Sequence, residues 1–178
     1  MATPTTLPAT FVAGNVLTAQ QMNDLRGAFR VLQVVSASKD DTASTTTQSY
    51  QDITGMSVSI TPSSTSSKIL ITASYQIGSS NSNTNVAVRL MRDSTPISVG
   101  AAAGNRVQAS TVGYTEFQGT FSINYLDSPN TTSATTYKLQ WYSLGGSACY
   151  MNRVNFNDDD IAGRPRTASN ITVMEVSA

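Results

Sequence analysis

The chain has 178 residues, 11 of them basic and 11 acidic, with no histidine and one cysteine, Cys149. That length suits one domain with a real core and no need for metals or disulfides. The missing histidine removes Ser-His-Asp chemistry and His metal sites. The single cysteine removes an intrachain disulfide and Cys-based zinc. Zero net charge removes any general attraction to nucleic acid or anionic lipid. Only 12 % of residues are charged, about half the usual share. Ser and Thr together make up about 27 % of the chain. Glu occurs only at 116 and 175 and Lys only at 39, 68 and 138. Helices use those residues heavily, so the composition predicts strands and loops.

Residues 1–16 read as an extended arm, with Pro4, Pro8 and a Gly14-Asn15 turn signal. Met1–Pro8 lacks the basic and apolar regions of a secretory signal. Residues 18–30 read as one short amphipathic helix. Thr18 and Gln21 have capping-box spacing. Met22, Leu25, Phe29 and Leu32 recur at helical spacing along one face. Gly27 weakens the helix, and about 13 residues are marginal alone. The apolar face must therefore dock, either on its own β domain or on other subunits of a larger particle. Residues 1–32 are taken as an attachment arm and helix, and 33–178 as the β domain.

From Val31 onward, period-two alternation dominates. It is plain over 56–60, 69–77, 86–90, 117–125 and 137–141, each with one wet and one dry face. Residues 171–176 are apolar on both faces, as in a central strand. Turn clusters at 62–67, 78–85, 93–96, 127–132 and 145–147 separate these runs. The pattern predicts an all-β, antiparallel β-sandwich of the jelly-roll or tumour-necrosis-factor-like knob type. Its core is predicted at Ile69, Ile71, Tyr75, Val86, Val88, Leu90, Phe121, Ile123, Leu139 and Trp141. Leu70, Met91, Leu144, Met174 and Val176 have the opposite parity, which implies that part of the second face is covered.

Few residues suggest chemistry. Asn155–Asp160 alternates amides and carboxylates but lacks the glycine and terminal glutamate of a calcium loop, so it reads as a solvated turn. Glu116 with Asp127 or Asp52 makes an acid/base pair only if folding converges them. Cys149 reads as a small buried hydrophobe. Trp141 falls on the dry face. Tyr142 has the opposite parity and is the candidate receptor contact, because a tyrosine joins an apolar ring to a polar handle. Asn130-Thr131-Thr132 and Asn170-Ile171-Thr172 match the glycosylation pattern as chance does in so Thr-rich a chain. No catalytic residue, cofactor or metal is expected, nor nucleic-acid binding or membrane insertion.

Four segments carry a family resemblance. Leu7-Pro8-Ala9-Thr10-Phe11-Val12-Ala13-Gly14-Asn15-Val16-Leu17-Thr18-Ala19-Gln20-Gln21-Met22-Asn23 resembles the start of many tailed-phage virion proteins. Residues 50–62 with 66–71, residues 89–97 and residues 166–176 are similar to phage tail-fibre and virion β domains. The resemblance implies a homotrimeric β-sandwich head in the virion, attached through its N-terminal segment to other virion proteins. Phe11, Val12, Leu17, Met22, Leu25, Phe29 and Leu32 are then the attachment or oligomer contacts. It implies a tail fibre or tail-associated protein that contacts a host surface glycan. A capsid decoration or head-fibre protein is the nearest alternative, and a soluble carbohydrate-binding module a further one.

Overall fold

The computed structural model describes residues 16, 18, 19, 31–80, 85–114, 118–156 and 161–177. Nearly all of the predicted arm and helix, with Phe11, Val12, Leu17, Met22, Leu25 and Phe29, lies outside them, as do Glu116 and Asp158–Asp160. The elements run β1 (Val31–Lys39), β2 (Ala43–Thr45), β3 (Gln51–Ile60), β4 (Lys68–Ser79), β5 (Asn85–Arg92), β6 (Thr95–Ile97), β7 (Thr111–Tyr114), β8 (Gln118–Asp127), β9 (Thr135–Ser143), β10 (Cys149–Met151) and β11 (Ser169–Val176).

The strands form two antiparallel sheets. In sheet A, β4 pairs with β8 on one side and with β11 and β10 on the other; β11 continues to β1, and β10 to β2. Sheet B runs β3-β9-β5, and β5 then pairs with β6 and β7. Alternation fixes which side chains point between the sheets. Ile69, Ile71, Ala73, Tyr75 and Ile77 of β4 face Val86, Val88, Leu90, Tyr137, Leu139 and Trp141 of sheet B in one continuous core. The result is a β-sandwich, as the alternation predicted. β11 lies between β1 and β4, with Ile171 and Val173 in the core and Met174 and Val176 half-buried on the outer face.

Nine of the ten predicted core side chains are buried. Phe121 is the exception and is half-buried. β8 reaches the sheet only through β4, so its inward side chains sit at the flank of the sandwich. There Phe121 stacks on Tyr75, with ring centroids 6.2 Å apart. Its Cζ is 2.8 Å from where a Cβ on Gly113 would be. Glycine lets β7 come close to the ring.

Two further expectations change. The strand begins at Val31, so Leu32 belongs to β1 and not to a helical face. Met91 is on the outer face of sheet B but is only 3 % exposed. Its register neighbours are Pro96 of β6 and Lys138 of β9. Tyr50, just before β3, donates its hydroxyl hydrogen bond to the carbonyl of Gln108 in the β6–β7 connection. Met91 and Ala87 are covered within the chain. Leu144 follows β9 and is half-buried in the turn.

Buried polar groups tie the layers together. Asp127 of β8 accepts from both the Arg92 guanidinium of β5 (3.0 Å) and the Tyr137 hydroxyl of β9 (2.6 Å). Burial, and then the neighbouring Asp127 carboxylate, push the Tyr137 hydroxyl pKa well above the usual phenol value. Asn152, at φ 60°, donates through Nδ2 to the Lys39 and Asp41 carbonyls and accepts from Ser169. This joins the segment after β10 to the ends of β1 and β11.

Candidate functional site

Register sets what the outer face of sheet B displays. Asp52 pairs with Gln140 and Gln140 with Arg89. These side chains form a relay: Arg89 Nε donates to Gln140 Oε1 (2.8 Å), and Gln140 Nε2 donates to Asp52 Oδ1 (2.6 Å). Lys138 Nζ reaches the other Asp52 oxygen at 2.7 Å. The Lys138 hydrogen bond, above the smaller contribution of Gln140, holds the Asp52 carboxyl below its ordinary pKa. Tyr142 is half-buried beside this relay, its ring edge-on to Tyr50 at 5.5 Å. The Arg89 guanidinium lies 3.8 Å over the Tyr50 ring. Tyr142 therefore has the outward parity assigned from sequence. Tyr50 and Arg89 join it because the strands pair in this register, which no spacing within one strand reveals.

The outer face of sheet A is different. Val34 pairs with Met174, Met174 with Leu70, and Leu70 with Leu126. One apolar row thus crosses β1, β11, β4 and β8. Its two ends are open, with Val34 56 % and Leu126 55 % exposed. Val31, 54 % exposed, pairs with Val176 and extends the band toward the start of β1. In the other direction the next row is Ser36, Thr172, Thr72 and Asn124. One sheet face therefore carries an apolar band at one end and a hydroxyl and amide surface beyond it. Leu70, Met174 and Val176 are on this band, half-buried. Leu32, 37 % exposed, is beside it in β1. Val34 and Leu126 were not singled out from the sequence. Their parity is readable within their own strands, but only the pairing puts them in one row.

Glu116 lies outside the described residues, and among those described the remaining candidates are engaged elsewhere. Asp127 is engaged by Arg92 and Tyr137, and Asp52 by Lys138 and Gln140. Cys149 is fully buried, and burial pushes its thiol pKa up, away from thiolate chemistry. Among the described residues, no three His, Cys, Asp or Glu side chains gather as a metal site requires. A shallow recess of about 310 Å³ is lined by Ser44, Thr45, Thr46, Thr47, Gln51 and Ala148.

No protein-family model and no curated protein matches the chain. A solved structure, that of infectious bursal disease virus Gx strain, matches 83 % of this chain and 40 % of its own at 17 % identity, with a TM-score of 0.41. The chain thus spans well under half the length of that neighbour. The likeness is loose, and the fold assignment rests on the two sheets themselves.

Proposed function

We propose that the chain is a non-enzymatic structural component of a tailed-phage virion. In this reading it is a tail fibre or tail-associated protein, displayed as a homotrimeric β knob and held on the particle by residues 1–32. Tyr142 is its contact with a host surface glycan.

One observation carries the oligomeric part: the open apolar band of Val34, Met174, Leu70 and Leu126. Exposed apolar groups scattered singly are ordinary, but a contiguous row across four strands usually marks a contact surface. The band is at the end of sheet A where the N-terminal segment enters β1. A subunit laid there also shields the β1 edge, which otherwise invites pairing with other chains. The phage assignment rests on the resemblance of the four sequence segments. A weakly charged Ser/Thr surface suits a displayed protein that must not adhere to nucleic acid.

Incorporation into particles tests this reading. The full chain is expected in purified virions, and a version lacking residues 1–30, which leaves β1 whole, is expected to be absent from them. Equal incorporation of the shortened chain contradicts the attachment role. Gold labelling of intact particles locates the protein: label on the tail is expected, and label over the capsid favours the decoration or head-fibre alternative.

A further inference from the structure

We infer that the apolar band on sheet A is the receiving surface for residues 19–30 of a neighbouring copy, so that exchanged N-terminal segments hold the oligomer together. This rests on the oligomeric knob proposed above and specifies what covers its open face.

Three observations converge. First, dimensions agree. Four strands span three inter-strand spacings, about 14 Å. A helix of the 13 residues expected over 18–30 is about 20 Å long, enough to lie across the whole row. Second, the chemistry agrees. Met22, Leu25 and Phe29 supply one apolar stripe, and Val34, Met174, Leu70 and Leu126 supply the surface, with Val31 and Val176 beside it. The band ends at a row of Ser, Thr and Asn, so a bound segment has one apolar track to follow.

Third, chain connection favours a neighbour over the same copy. The helix expected over 18–30 would end at Arg30, and β1 begins at Val31, so no residue is left between them. Connections between a helix and a strand generally need two to six residues to reverse direction. A helix running directly into β1 would have no residues with which to fold back over its own sheet, which favours another copy as the recipient. Exchange of identical elements is a common route to symmetric oligomers.

A photo-reactive benzophenone residue replacing Leu126 in the full chain tests the inference. Leu126 is exposed, so the substitution leaves the core intact. Irradiation is expected to give a covalent product of two chains on a denaturing gel, with the attachment mapped by mass spectrometry to residues 19–30. The same group replacing Ser122, on the polar part of β8, is expected to give at least fivefold less of that product. Attachment to residues 19–30 at the mass of a single chain overturns the exchange. Attachment to strand residues of a second chain also overturns it while leaving the oligomer intact. A monomer in light scattering of the unirradiated protein overturns the proposed knob itself, which separates the two failures.

Discussion

Glu175 is one of two glutamates in the chain and is fully buried. It sits at an inward position of β11, where its neighbours in parity are Ile171 and Val173. The Ser63 amide and hydroxyl donate to Oε1 at 2.7 and 2.6 Å, and Gln33 Nε2 donates to Oε2 at 2.6 Å. Burial pushes this carboxyl pKa up, but the hydrogen bonds from Ser63 and Gln33 help to outweigh it, and the value falls to about 2. The carboxylate thereby latches the β3–β4 connection to the end of the sandwich. A folded-state value below the unfolded one means that the unfolded chain binds the proton first. The stabilisation is complete above the ordinary value of 4.5 and is lost as pH falls toward and through about 2. Denaturant titrations are expected to show that fall in the native chain and a flatter profile in Glu175→Gln. The variant is expected to be less stable at neutral pH by about 1–3 kcal/mol. Parallel profiles for the two proteins would assign the acid sensitivity to another group. Gly113 gives a second test at this scale. Alanine there drives a methyl group into the Phe121 ring, and a loss of about 1–3 kcal/mol is expected. Gly100→Ala, with open space around it, is expected to stay within about 0.5 kcal/mol of the native chain.

At the scale of elements, most long strands were legible in the sequence and short ones were not; β1 is the long exception, its first two residues having been assigned to the arm and helix. The alternation over 69–77 and 137–141 marks β4 and β9 because each has many residues and one dry face. β2, β6 and β10 have three residues each, too few for a period to show, and pairing with longer strands defines them. Met91 shows a different limit. Its outward parity was correct, but it is covered within its own chain, which parity along one strand does not reveal. The candidate surface was legible in part for the same reason. Leu70 and Met174 announce themselves by parity, whereas Val34 and Leu126 join them only through register. The band also makes a prediction about its own element. Leu70→Lys, placed in the middle of the row, is expected to weaken subunit association at least tenfold, about 1.4 kcal/mol. Thr72→Lys, two residues along β4 in the polar row, is expected to leave association within twofold. Sedimentation velocity over a dilution series reads both, and equal behaviour of the two variants would remove the band from the interface.

At the scale of the whole molecule, the sandwich turns two unlike faces outward. Sheet B presents a hydrogen-bonded relay beside Tyr142. Sheet A presents an apolar band with nothing from the described residues of its own chain over its two ends. In the proposed assembly, other copies complete this second face. Light scattering of the purified full chain at micromolar concentration tests it most directly. The expected result is a single species at three times the 18.9 kDa chain mass, converting to monomer when Leu70 is changed to lysine. A stable, monodisperse monomer of the native sequence would contradict the account.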